Sequence, residues 1–118
     1  MKKTYHYILL ILIAFALASC GSSNPEITQM IVKSDKDGVL LDTDDKSILS
    51  QLQPLFYEKE EAPDAGPDFF YFIDITIKGN RERWQYSKEG FIRNYEEGFG
   101  MIYQVRDVAV FNRLANIR

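Results

Sequence analysis

The sequence predicts an α+β domain: an antiparallel sheet of about six strands in the order β-β-α-β-β-β-β-α, with two helices on one face. Three observations lead there. Short runs rich in β-branched and aromatic residues recur through the chain. Turn residues separate most of them by only a few positions, so consecutive strands pair antiparallel. Two segments instead repeat apolar residues at helical spacing. No internal repeat or heptad pattern appears.

The elements follow in order. Ile27 to Lys33, ITQMIVK, reads as the first strand. Asp37-Gly38 separates it from Val39-Leu40-Leu41, and Asp-Gly is a favoured type I′ pair, so the two form a hairpin. Asp42-Thr43-Asp44-Asp45 offers N-cap side chains and negative charge for a helix start. Ile48, Leu49, Leu52, Leu55 and Phe56 share a helical face, and the helix is expected over Asp45 to about Gln53. Pro54 lacks an N–H and disfavours helix at the residue before it, so a kink or end is expected there. Glu58 to Asp68 holds five acids, two prolines and a glycine, and reads as an exposed acidic loop.

Asp68 to Lys78 is the strongest strand signal, and Glu82 to Ser87 returns from it. A turn at Gly79-Asn80 sets Ile77 opposite Glu82, Ile75 opposite Trp84 and Ile73 opposite Tyr86. Thr76 then meets Arg83, and Asp74 meets Gln85 with Arg83 on the diagonal. This register sorts Tyr71, Ile73, Ile75, Ile77, Trp84 and Tyr86 onto a core face. Phe70, Phe72, Asp74, Thr76, Lys78, Arg81, Arg83, Gln85 and Ser87 fall on the other. Gly90 suits the left-handed position of a short hairpin with a bulge. Phe91 to Tyr95 is a strand with apolar residues on both faces, so parity leaves its register open. Glu96 to Gly100 is a turn, Met101 to Val105 the last strand, and Asp107 caps a terminal helix carrying Val108, Phe111, Leu114 and Ala115 on one side.

Ahead of the domain, Met1-Lys2-Lys3 is a positive start. Ile8 to Ala18 is an uncharged apolar run of eleven residues, about 16 Å as a helix. A bilayer core needs about 20 residues, so the run fits a secretory h-region. It ends in Leu17-Ala18-Ser19-Cys20, an aliphatic residue, two small residues and the chain's one cysteine. This pattern resembles the bacterial lipoprotein signal, the lipobox. The resemblance covers residues 1–20. It implies a diacylglycerol on the Cys20 thiol, cleavage between Ser19 and Cys20, and in many bacteria a further acyl chain such as palmitate on the new amino group. Two or more chains are what stable anchoring takes. The competing reading leaves Cys20 an ordinary residue after a simple signal or a short uncleaved anchor. Gly21 is not the aspartate that commonly signals inner-membrane retention. The expected location is therefore the cell membrane or outer membrane, with the domain on the extracytoplasmic side. The domain, including Trp84 to Ile92, resembles small uncharacterised lipoproteins of bacteria with a single membrane, a resemblance that implies no activity.

The organisation expected is a signal peptide over 1–19, a lipidated cysteine and flexible tether over 20–26, and one α+β domain over 27–118. Removing residues 1–19 takes two lysines and no acid. It leaves 99 residues with twelve cations against 17 acids, a formal charge of −5. That balance argues against nucleic acid as a partner.

The chemistry expected is recognition rather than catalysis. The one histidine, His6, lies in the signal, and the one cysteine is the lipid attachment point. The mature domain has no Ser-His or Cys-His couple. It has none of the imidazole and thiolate ligands that zinc sites favour, and no P-loop. Gly98-Phe99-Gly100 lacks the strand–turn–helix context of a nucleotide fingerprint. The acidic runs from Asp35 and Asp42 miss the calcium-loop pattern, with Lys46 at position twelve of one and position five of the other. Asp74 is the one acid considered for acid–base work, and an ion-paired surface acid explains it better. No cofactor or metal is expected. The candidate binding face is Phe70, Phe72, Asp74, Arg81, Arg83 and Gln85, since aromatics beside arginines are common at recognition surfaces; an ordinary solvated sheet face with cross-strand ion pairs is the alternative. The partners expected are the membrane, through the lipid on Cys20, and an envelope protein, peptide or wall component. Two functions remain: a binding or regulatory module at the envelope, or a structural or immunity-type lipoprotein associated with another membrane protein.

Overall fold

The computed structural model describes residues 24–96 and 100–118. Cys20, the lipobox and the h-region lie outside the described residues, as does most of the Glu96 to Gly100 turn. The fold is α+β, with a seven-stranded antiparallel sheet and two helices. The strands are β1 (Ile27–Ser34), β2 (Gly38–Thr43), β3 (Glu60–Glu61), β4 (Tyr71–Ile77), β5 (Asn80–Tyr86), β6 (Phe91–Asn94) and β7 (Tyr103–Gln104). The helices are α1 (Lys46–Tyr57) and α2 (Val108–Leu114). Across the sheet the order is β2-β1-β4-β5-β6-β7-β3.

The seventh strand is β3, inside the stretch expected to be a free acidic loop. Glu60 pairs with Gln104 and Glu61 with Tyr103, and Ala62 donates its N–H to the Ile102 carbonyl at 2.8 Å. Lys59 holds the same segment from the other side. Its Nζ sits 3.9 Å from the Phe56 ring centroid and 5.0 Å from that of Trp84. Burial lowers the Lys59 pKa, with the Glu82 charge opposing. A run of five acids is thus docked through its single cation, with Glu60 and Glu61 left in solvent.

Alternation along the strands produces one buried face. Met30, Val32, Ile73, Ile75, Trp84, Tyr86 and Ile92 point into the core. Both helices cover that face. Phe56 of α1 meets Trp84 edge-on at 5.2 Å, and Phe111 of α2 lies 5.1 Å from the Tyr86 ring. Each such fully buried side chain contributes about 1.5–3 kcal/mol. The Tyr86 hydroxyl donates to Asn112 Oδ1 at 2.6 Å, and Asn112 Nδ2 donates to the Lys88 carbonyl at 2.8 Å. The buried phenol is satisfied, and α2 is tied to the β5–β6 turn.

Several local expectations need correction. The first turn is not a two-residue Asp-Gly type I′ turn. Ser34 pairs with Gly38 around the three residues 35–37, with Gly38 at φ 74° and a bulge at Val32/Lys33. Ser34 Oγ stabilises that loop by accepting the N–H groups of Lys36 and Asp37. The first helix does not stop at Gln53 but runs through Pro54 to Tyr57. Pro54 sits on the exposed side, and Leu55, Phe56 and Tyr57 beyond it are drawn inward. Burial of that last turn outweighs the lost hydrogen bond. Asp45 caps α1 as expected, accepting the Ser47 N–H at 2.8 Å. Asp107 occupies the start of α2 in a left-handed conformation, φ 50°, and makes no side-chain cap.

The β4–β5 register is also displaced. The turn is Lys78-Gly79, both at positive φ (52° and 78°), which is type I′ geometry. Ile77 therefore pairs with Asn80, Ile75 with Glu82, Ile73 with Trp84 and Tyr71 with Tyr86. The shift is two residues, so every side chain keeps its face while each acquires a different cross-strand neighbour. The strand expected over Phe91 to Tyr95 runs from Phe91 to Asn94 with Ile92 inward, opposite Tyr86.

Candidate functional site

The other face of the sheet carries no helix among the described residues. Three cross-strand rows pave its centre. Gln29, Thr76 and Arg81 form the first, Ile31, Asp74 and Arg83 the second, and Lys33, Phe72, Gln85 and Arg93 the third. Tyr95 extends the second row, its N–H donating to the Arg83 carbonyl at 2.9 Å. The two-residue correction in register is what sets Arg83 directly opposite Asp74.

Asp74 is ion-paired but is not the surface acid expected. It is 2 % exposed. Arg83 grips it with both ends of its fork, Nε to Oδ1 at 2.8 Å and Nη2 to Oδ2 at 3.0 Å. Lys33 Nζ lies 3.4 Å from Oδ2. Burial works to raise the Asp74 carboxyl; the Arg83 hydrogen bonds and charge, then those of Lys33, outweigh it and hold the pKa below its ordinary value. A carboxylate kept ionised beneath two cations is a poor proton donor near neutral pH. It is a structural counter-ion, and it uses two of the five guanidinium N–H groups of Arg83.

The aromatic side chains stiffen this array. The Arg83 guanidinium lies 5.2 Å from the Phe72 centroid. Phe72 meets Tyr95 edge-on at 5.8 Å and 83°. Arg93 is held in the same manner, 4.8 Å from the Phe69 centroid, with Nε and Nη2 donating to Gln85 Oε1 at 3.1 and 2.7 Å. Stacked and hydrogen-bonded guanidiniums lose less freedom when they bind a planar anion than free ones do.

Of the expected face, the structure brings Phe72, Asp74, Arg83 and Gln85 together, with Arg81 one row along. Phe70 is separate. It precedes β4, is 59 % exposed, and stands between two shallow grooves at the end of the sheet. Ser87 is also removed from the face; it is fully buried, and its Oγ accepts the Phe91 N–H. Lys33, Arg93, Tyr95 and Phe69 were missed. Alternation beside Val32 and Ile92 was the available signal for Lys33 and Arg93. Nothing in the local sequence marked Phe69, which reaches Arg93 from the loop before β4.

The face holds Lys33, Arg81, Arg83 and Arg93 against Asp42, Asp74 and, at its far edge, Glu60, an excess of positive charge in a chain of net charge −3. Among the described residues, no cluster of three or more His, Cys, Asp or Glu side chains is placed to hold a metal, and no helix is long and apolar enough to cross a membrane. The chain matches no family, no curated protein and no solved structure.

Proposed function

We propose that this protein is a lipid-anchored recognition module of the bacterial envelope, non-catalytic, held through Cys20 and presenting the open face of its sheet to a partner. The observation that supports recognition is the arginine–aromatic array itself. Arg83 and Arg93 are fixed in geometry by Phe72, Phe69, Gln85 and Asp74, and Tyr95 stands 52 % exposed beside them. Aromatics and arginine dominate binding energy at protein interfaces. The anchoring rests on the Leu17-Ala18-Ser19-Cys20 motif. Residues 24–26 leave the domain on the helix side: Tyr57 Oη donates to the Pro25 carbonyl at 2.6 Å, and Ile27 N–H donates to Gln53 Oε1 at 2.8 Å.

Two measurements test the two halves. Cys20→Ser is expected to move the protein out of the lipid-labelled membrane pool; unchanged incorporation of a fatty-acid label would overturn the anchoring. A photo-crosslinking side chain at Tyr95 is expected to form discrete protein adducts in the intact envelope, while the same group at Gln51, exposed on α1 on the opposite side of the sheet, forms none of them. Identical adducts from both positions, or none from Tyr95, would overturn the recognition role.

A further inference from the structure

The open face differs from the rest of the molecule in charge as well as in shape. Arg81 and Arg83 stand about 7 Å apart along β5, Arg93 lies diagonally across from Arg83 on β6, and Lys33 is two strands from β5 on β1. One of the face's three carboxylates is buried beneath Arg83 and Lys33, so the acids a partner meets directly are Asp42 and, at the far edge, Glu60. Beside these cations stand Phe72, half-buried, and Tyr95, exposed. The combination is a set of fixed planar donors next to an apolar rest.

We propose that this face binds an acidic, aromatic-containing segment of another protein, its carboxylates pairing with Arg81, Arg93 and the remaining N–H groups of Arg83, and its apolar side chain resting on Phe72 and Tyr95. The inference builds on the recognition role above and names the partner's chemistry. Charge complementarity supports an anionic occupant. One feature favours protein carboxylates over an anionic lipid surface. Lipid recognition relies on clusters of four to eight Lys or Arg side chains next to a membrane span or on an amphipathic helix, whereas the four cations here lie on the strands of a sheet, and two of the three arginines are stacked and hydrogen-bonded in place.

The test uses the full chain reconstituted in phosphatidylcholine vesicles. Two labelled peptides serve as probes, one alternating glutamate with phenylalanine and one alternating glutamine with phenylalanine. The glutamate peptide is expected to bind about tenfold tighter or more, with affinity falling as salt rises. Arg93→Gln is expected to weaken it about five- to tenfold, and Tyr95→Ala by a similar factor. Gln51→Ala, on α1 on the opposite side of the sheet, is expected to leave it unchanged. Arg93 makes no contact with Asp74, so its substitution leaves the buried ion pair intact. Equal binding of the two peptides, or no loss in Arg93→Gln, overturns the inference. Capture of phosphatidylglycerol rather than peptide by the Tyr95 crosslinker, in vesicles containing that lipid, also overturns it. Adducts formed from Tyr95 in the intact envelope that the glutamate peptide fails to displace defeat the acidic-partner inference alone. Absence of adducts defeats the recognition role with it.

Discussion

Arg83→Met is expected to lower the stability of the folded domain by about 2–3 kcal/mol at neutral pH, seen as a fall of roughly 10–20 °C in the melting midpoint. The reason is the carboxylate left behind. Asp74 is buried, and Arg83 supplies the two shortest hydrogen bonds to it. Breaking a buried pair leaves an uncompensated charge, a loss of about 3–5 kcal/mol. Arg83 is itself 39 % exposed and Lys33 remains at 3.4 Å, so the loss sits below that range. The pH dependence separates this cause from simple loss of packing. The folded pKa of Asp74 lies below its unfolded value. Its contribution is therefore fully present above the unfolded pKa and disappears as pH falls through the folded one. In Arg83→Met the carboxyl loses its main stabilising charge, its pKa rises, and protonation relieves the buried charge. The gap between variant and parent is expected to be widest near pH 7 and to narrow as pH falls through the variant's raised folded pKa toward the parent's lowered one. A gap of constant size across that range, in urea titrations at each pH, would mean that Arg83 acts by packing over Phe72 and not as the partner of Asp74.

Gly90→Ala is expected to destabilise by about 2–4 kcal/mol, and the loss divides into two separable parts. Gly90 has φ +90°, where a Cβ costs about 1–2 kcal/mol. A Cβ there would also stand 2.4 Å from Val108 Cγ2 and 3.0 Å from Cγ1. Overpacking of that kind costs about 1–3 kcal/mol. Neither side can retreat easily. The Gly90 N–H donates to the Ser87 carbonyl, its carbonyl accepts from Val105, and Val108 opens α2. Val108→Ala in the Gly90→Ala background should recover the steric part and leave the backbone part, giving a coupling of about 1–2 kcal/mol in a double-mutant cycle. Additive effects in that cycle would show that the close approach of α2 is not what requires a glycine.

These two residues were legible in the sequence to different degrees. Gly90 was readable as a turn glycine from its place between two strand signals, but the helix that closes over it was not, because Val108 is 18 residues away in sequence. Asp74 was assignable to a face but not to a partner. Gly79-Asn80 and Lys78-Gly79 are both plausible two-residue turns, and either preserves the apolar sorting of β4 and β5. Local chemistry favoured glycine with asparagine. The fold instead holds Lys78 at φ 52°, where pairing of Ile77 with both Asn80 and Ile27 anchors the end of the sheet.

The sequence by itself determined the α+β class, the faces that β4 and β5 bury, the start of α1 and the left-handed position at Gly90. Periodicity and turn chemistry are local, and they survive a slip of two residues. Tertiary structure alone decided which side chains meet. It extended α1 past Pro54, because Phe56 gains more from burial than the ladder loses at one exposed proline. It made a strand of Glu60–Glu61, because β7 offered an open edge. It placed Asp74 under Arg83 and Lys33, and Arg93 beside Gln85, because cross-strand neighbours are fixed by register, and register is a property of the whole sheet.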